Sequence, residues 1–359
     1  MTDKGEPSGM KKGLTRYGDD EFALFLRKSF IKGAGYGDDA LDRLVVGIVD
    51  TGSDFNPCHG NSEELIAQVK AGVLAAGGLP MVFPTISLHE SFAYPTSMYL
   101  RNLMAMDTEE MLKSLPVDAV VLIGGCDKTV PAQVMGALSA DVPFVQLVTG
   151  PMSTGRFRGQ RVGACTDCRR LWADYRADRL DAAAIAEAND ALVPTVGTCG
   201  VMGTASTMAL LVEALGLAPL GSASAPAVSA DRRRIAEETG QLAVDMAQRK
   251  ARPAAYLSKA SFENAMRVLL AVGGSTNAII HLTAMAGRLG IKLSLDRLDE
   301  LSRDTPVIVD LKPSGTGYME DLHAAGGGVK VLAELADCLD LGVMTLTGRT
   351  LADELAQTV

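Results

Sequence analysis

Ala119-Val120-Val121-Leu122-Ile123-Gly124-Gly125-Cys126-Asp127-Lys128-Thr129 reads as a buried strand that stops at two glycines and opens into a loop of chemically active side chains. Five apolar, mostly β-branched or γ-branched residues in a row suit a strand covered on both faces, as in parallel sheets. Val130–Ala140 then has helical spacing, with Pro131 tolerated in its first turn. The same order recurs on both sides. Leu44–Val49 is a strand, Asp50–Gly60 a polar loop holding Asn56-Pro57-Cys58-His59-Gly60, and Ser62–Ala76 a helix closed by Gly77-Gly78. Pro80–Ile86 is a further strand with His89-Glu90 just beyond it, Thr96–Met106 and Thr108–Leu115 read as two helices, and Pro143–Val148 is a fourth strand. Strands alternating with helices predict an α/β fold of mainly parallel sheets flanked by helices.

Working outward, residues 1–40 read as a helical lead-in, where Phe22, Phe25 and Leu26 form an apolar stripe. Residues 41–150 make a first α/β subdomain and 151–359 a second, helix-rich α/β subdomain. Gly150–Arg170 is a Gly- and Arg-containing connection that divides the two or forms a flap. Helices are expected over Asp181–Ala191, Ala205–Leu215, Ala230–Arg249, Lys259–Leu270, Asn277–Gly290 and Leu295–Ser302, with one strand at Val307–Val309. Arg232-Arg233-Arg234 reads as a solvated face, His281 as a satisfied helix residue and Cys338 as core.

The totals bound the function. At 359 residues and 47% hydrophobic, the chain can bury a sizeable core over about two domains. A formal net charge of −9 argues against a nucleic-acid partner, whose phosphates need basic contacts. No apolar run reaches the ~18–20 residues of a membrane helix, and Met1–Lys12 has no apolar core of a signal peptide, so a cytoplasmic protein without a membrane partner is expected. In a reducing compartment the six cysteines are thiols or metal ligands rather than disulfides.

Cys58 and Cys126 fall in loops directly after strands, where open parallel sheets gather their ligands. Cys199 lies in a glycine-flanked loop near a helix start, where backbone N–H groups favour a thiolate. Three converging thiolates suit an iron–sulfur cluster with one iron free of protein ligand; spacing alone leaves incidental loop cysteines as the alternative. Asp127 beside Cys126, with Glu90 beyond another strand, offers oxygens suited to Mg²⁺. Lys128 fits beside a cation if its amine is carbamylated by CO₂; otherwise Asp127 and Lys128 are a solvated pair. Cys165-Thr166-Asp167-Cys168 has no second C-x-x-C partner and is expected to take no part. Gly273–Asn277 reads either as an anion-facing turn or as a tight helix junction.

Taken in order, Asn56-Pro57-Cys58, Gly125-Cys126-Asp127-Lys128-Thr129, Gly197-Thr198-Cys199 with Met202–Met208, and Gly273-Gly274-Ser275-Thr276-Asn277 resemble the dihydroxy-acid and sugar-acid dehydratases, from about Leu14 onward. His89-Glu90-Ser91, Arg101-Asn102-Leu103 and Pro131-Ala132 look more like the sugar-acid branch, such as arabinonate or xylonate dehydratases. The resemblance implies a hydro-lyase acting on a sugar acid. Cys58, Cys126 and Cys199 would hold the cluster, [2Fe–2S] in expectation although [4Fe–4S] also suits three thiols. Glu90, Asp127 and carbamylated Lys128 would bind Mg²⁺, Thr129 would touch substrate, and the protein would be a homo-oligomer. The resemblance further implies a C-terminal barrel-like domain carrying the catalytic base, which has no counterpart in these residues. The chain alone is therefore expected to be inactive, and a cluster-carrying subunit or a defunct remnant is the competing reading.

Overall fold

The computed structural model describes residues 6–14 and 17–358. Residues 1–5 of the polar N-terminal stretch, Thr15 and Arg16 of the lead-in, and Val359 lie outside the described residues. The lead-in supplies α1 (Asp20–Lys32) and the single turn α2 (Asp38–Leu41). Then follow β1 (Val45–Asp50), α3 (Ser62–Ala75), β2 (Leu79–Pro84), α4 (Ser97–Ser114), β3 (Ala119–Ile123), α5 (Thr129–Ala140) and β4 (Phe144–Leu147). The four strands form one parallel sheet in the order β2-β1-β3-β4. All five residues of β3 are buried, as are the first five of β1. Burying each of Val121, Leu122 and Ile123 contributes roughly 1.5–3 kcal/mol. β2, at one edge, leaves Val82 exposed. At the other edge Gln146 of β4 donates its backbone N–H to the Leu217 carbonyl, which covers that edge with later chain.

Beyond β4 come the antiparallel hairpin β5 (Gly155–Phe157) and β6 (Gln160–Val162), α6 (Asp167–Arg176), α7 (Ala182–Leu192), α8 (Thr204–Ala214) and α9 (Ala230–Arg249). The remaining helices are α10 (Lys259–Ala271), α11 (Asn277–Arg288), α12 (Leu295–Ser302), α13 (Met319–Ala324), α14 (Gly327–Glu334) and α15 (Leu351–Thr358). One hydrophobic core runs from Met10 to Leu355, continuous across residue 150. A small satellite under the hairpin joins Phe157, Val162, Leu171 and Ala188. Helices α3 and α9 pack on the sheet and on each other, while α4 pairs with α5, behind which lie α8 and α11. The α3–α9 crossing depends on two glycines. A Cβ on Gly72 would lie 1.9 Å from the Glu237 carbonyl oxygen, and one on Gly240 2.3 Å from that of Val69.

Several expectations are corrected. The Thr96–Leu115 region is one helix, because Thr108 turns its hydroxyl onto the Met104 carbonyl instead of breaking the ladder. Phe22 and Phe25 face solvent; α1 docks instead through Ala23 and through Arg27, which donates to the Met10 and Lys12 carbonyls. Residues 307–309 form no strand and join no sheet, and Ile308 donates its N–H to the Ala271 carbonyl. Cys338 lies partly exposed in a one-turn 3₁₀ helix, not in the core.

Arg232, expected on a solvated face, is fully buried. Its guanidinium donates to the carbonyls of Val148, Ser222 and Ala225, tying the end of β4 to the 222–225 loop. Glu213, also fully buried, sits nearby and accepts the N–H groups of Gly221 and Ala223; burial pushes its carboxyl up to about 7. Arg232→Met would leave three buried carbonyls without donors. It is expected to lower unfolding free energy by about 3 kcal/mol or more, read as the urea midpoint, whereas Arg233→Met, on an exposed side chain, should change it by less than about 0.5 kcal/mol. Equal midpoints for the two variants would contradict this assignment.

Candidate metal centre

Parallel strands deliver their following loops to one edge, and the chemistry collects there. After β1 the chain turns through a short 3₁₀ helix, Pro57–His59, which buries both Cys58 and His59. After β3 it passes Gly124 and Gly125 to the buried Cys126. Gly125 is required by close approach, because a Cβ there would fall 1.9 Å from Thr149 Oγ1. That same hydroxyl donates to the Cys58 carbonyl at 2.7 Å.

His59 joins the two loops. Its Nε2 accepts the backbone N–H groups of Gly125 and Cys126, each at 3.0 Å, and Nδ1 lies 2.9 Å from the Thr51 carbonyl. The two accepted bonds place the ring proton on Nδ1, which donates to Thr51. Burial lowers the imidazole to about 4, so it is neutral at pH 7. The sequence pattern signalled only a histidine beside a candidate ligand; that it orders the next loop 66 residues away is visible only in space.

Cys58 and Cys126 converge, and with His89 they offer three ligand atoms all within 4.8 Å of one another. His89 was not foreseen as part of this group. Its Nδ1 accepts the Ser91 N–H at 3.3 Å. Cys199 arrives by another route. Thr198 forms a parallel bridge with Pro151, so this segment runs alongside the chain leaving β4 and reaches the same edge. Helix α8 begins only at Thr204, so the helix-start argument for a thiolate at Cys199 does not hold. Its thiol is instead raised, by the neighbouring Cys165 sulfur and by burial. Contact with Cys126 and burial likewise raise the Cys58 thiol. Neutral, clustered thiols are what a metal-binding set looks like before a cation draws off the protons.

The oxygen set adjoins the sulfur set. Glu90 opens a short 3₁₀ helix after β2, and Asp127 and Lys128 follow Cys126 directly. Lys128, only 3% exposed, has its Nζ 2.7 Å from Asp127 Oδ2 and 3.4 Å from Glu90 Oε2. Burial, and then the facing Glu90, push Asp127 up to about 7, and hydrogen bonding with Asp127 holds Glu90 below its usual range. Among the described residues, Asp127 Oδ1 and Thr129 Oγ1 are buried without a hydrogen-bond partner. Orphaned oxygens beside a carboxylate pair fit an oxygen-seeking cation. Thr129 itself is fully buried at the start of α5. Around the margin, Phe55 and Phe92 meet edge-on and are exposed. The Gly273–Asn277 turn packs on α8, where Ser275 accepts or donates at 2.7 Å to Thr204 and its N–H binds Thr207, which supports the helix-junction reading.

His59→Ala would strand two buried N–H groups, at a cost of roughly 1–3 kcal/mol each. A lower urea midpoint is expected. A variant with an unchanged midpoint would show that the imidazole orders nothing.

Similarity to known proteins agrees with this edge. The family described as dihydroxy-acid/6-phosphogluconate dehydratase N-terminal matches residues 43–354. The chain is 43% identical to an L-arabinonate dehydratase of Rhizobium leguminosarum bv. trifolii, over 96% of this chain and 60% of that protein. It is 41% identical to a 6-deoxy-6-sulfo-D-gluconate dehydratase of Pseudomonas putida, over 86% of this chain and 54% of the relative. With a dihydroxy-acid dehydratase of Natronomonas pharaonis it shares 36% identity, over 92% of this chain and 56% of the other. The chain thus spans between half and three-fifths of the length of these curated relatives. All the loops that carry the converging cysteines and carboxylates fall inside the matched region, and the chain belongs to the dihydroxy-acid/6-phosphogluconate dehydratase N-terminal family.

Proposed function

We propose that this chain carries the metal-binding half of a hydro-lyase that removes water from a sugar acid, or a related 2,3-dihydroxy acid, to give a 2-keto-3-deoxy acid. The observation that carries the reading is the adjacency of a sulfur donor set and an oxygen donor set, joined through the consecutive residues Cys126, Asp127 and Lys128. Cys58, Cys126 and Cys199 would hold an iron–sulfur cluster, [2Fe–2S] in this proposal. Glu90, Asp127 and Lys128, the last as its carbamate, would hold Mg²⁺. When bound, these groups supply Lewis acidity, the cluster iron toward the leaving 3-hydroxyl and Mg²⁺ toward the carboxylate and 2-hydroxyl. The protein's own share is positional. His59 fixes the Cys126 loop, and the edge of a sheet buried on both faces holds the carboxylates in place. Thr129 offers a hydroxyl without a partner for an oxygen of the substrate or of its hydration shell. The L-arabinonate and sulfogluconate relatives favour the sugar-acid class over branched dihydroxy acids.

Two expectations test the assignment of residues. Cys58→Ser, Cys126→Ser and Cys199→Ser should each lose most of the iron and sulfide that the anaerobically reconstituted parent retains, because a thiolate ligand is gone. Lys128→Ala should keep its iron yet fail to give the carbamate carbon resonance that ¹³C-bicarbonate produces in the parent. Full iron in Cys126→Ser, or a resonance that survives in Lys128→Ala, would assign these residues elsewhere.

Turnover tests the reaction. The loaded chain, with Mg²⁺ and bicarbonate, is assayed for 2-keto acid from L-arabinonate, D-xylonate and 2,3-dihydroxyisovalerate. It is assayed alone and mixed with the portion of the L-arabinonate relative that it does not cover. Keto acid is expected from a sugar acid in the mixture, at an ordinary enzymatic rate of about 1–10 s⁻¹. A fully loaded protein that yields none under either condition would leave a cluster-carrying role in its place.

A further inference from the structure

The C-x-x-C sequence at 165–168 is divided by the fold. Cys168 lies in the first turn of α6 and packs against the satellite core of the hairpin. Cys165 goes the other way. Its sulfur lies 2.9 Å from that of Cys199, on a segment 34 residues later in the chain. The loop bearing it is firmly held. Asp167, 2% exposed, accepts the Gly163 N–H at 3.0 Å, both of its oxygens lie within 3.0 Å of Lys312 Nζ, and the Tyr318 hydroxyl donates to it at 2.8 Å. The backbone at Cys165 is left-handed, with φ of 74°. Cys58 and Cys126 stand together, the Pro151–Thr198 bridge carries Cys199 alongside them with Cys165 against it, and among the described residues none of the four is in a disulfide.

A sulfur pair at 2.9 Å is poised between two bonded states. A disulfide would draw it in to about 2.05 Å, and two thiolates on one tetrahedral metal at about 2.3 Å would spread it to about 3.8 Å. Either needs a shift of less than about 1 Å. The surroundings decide between them. Cys58 and Cys126 already converge as one ligand pair, and Cys165 with Cys199 makes a second pair beside it. Two pairs of thiolates are the ligand set of an iron–sulfur cluster bound entirely by cysteine.

We propose that Cys165 is a fourth thiolate ligand of the cluster in this chain, on the same iron as Cys199. The proposal rests on the cluster reading above and goes beyond its three-cysteine set. Cys165 is the one exposed member of the four. Its exposure would allow Cys165 to leave the iron as a neutral thiol, taking the proton of an incoming hydroxyl whose oxygen binds in its place, so four-fold ligation at rest is compatible with an iron that accepts a substrate oxygen.

The test uses the full chain, purified and loaded with ⁵⁷Fe and sulfide without oxygen, as the parent and as Cys165→Ser, Cys165→Ala and Cys168→Ser. Far-ultraviolet circular dichroism confirms that each is folded. Mössbauer and visible spectra then report iron ligation. The Cys165 variants should retain iron, since three thiolates remain, but show one iron site with altered Mössbauer parameters and a shifted visible spectrum. Cys168→Ser should match the parent. In the loaded parent, iodoacetamide should label Cys165 at least about tenfold more slowly than in the reduced, metal-free protein, because a metal-bound sulfur is a poor nucleophile. Identical spectra together with rapid labelling of Cys165 in the loaded parent would overturn the proposal while leaving the three-cysteine cluster standing. A Cys165–Cys199 disulfide peptide from the loaded parent, lighter by two hydrogens, would overturn it in favour of a redox pair. A parent that takes up no iron would overturn this proposal and the cluster reading together.

Discussion

A parallel sheet sends every strand's carboxyl end to the same edge, and here β1, hydrogen-bonded on both sides, aligns that edge. β2 and β3 pair with it in register, so the loops after residues 50, 84 and 123 emerge side by side. Cys58, Glu90 and Cys126 are 32 and 36 residues apart in the chain and neighbours at the edge. The later chain is drawn to the same place when Thr198 bridges Pro151 and brings Cys199 alongside. Only a rigid base can hold side chains from four loops together. The continuous apolar core, the glycine-mediated approach of α3 to α9 and the buried Arg232 beneath the end of β4 make that base rigid.

The edge is polar chemistry set into an apolar body, and its electrostatics follow from that. Brought together out of water, Cys58, Cys199 and Asp127 are all raised, while Glu90, hydrogen-bonded with Asp127, is held down. Lys128 supplies one compensating charge, and the neutral His59 supplies acceptors where a charged ring would be costly. Cations would relieve the crowding, stabilising the deprotonated ligands and supplying partners for oxygens that lack them. The site thus reads as prepared for metals through the costs it carries without them.

Much of this was legible in the chain. Unbroken apolar runs such as Ala119–Ile123 and Leu44–Val49 identify buried strands, because a strand covered on both faces tolerates no polar residue. Glycine pairs and short polar loops mark where those strands end. Motif order identified the family, and with it Cys58, Cys126, Cys199, Glu90, Asp127 and Lys128 as candidates; the fold brings Cys58 to Cys126, and Glu90, Asp127 and Lys128 to one another. Periodicity served less well on surfaces. It turned Phe22 and Phe25 inward and split α4 in two, and the charge run placed Arg232 in solvent, because local pattern does not report which neighbour will arrive to cover a helix face.

What the sequence by itself determined, then, is the class of fold, the family, and the residue types able to hold metals, all of which are properties of short stretches and their order. What only tertiary structure decided is which side chains meet. His59 binds a loop 66 residues away, His89 joins the sulfur pair, and Cys165 leaves its C-x-x-C partner to face Cys199. Such encounters depend on strand register, on the path of a connecting loop and on the burial of its anchors, here Asp167 beneath Lys312 and Tyr318. These are long-range packing outcomes, and no spacing along the chain encodes them locally.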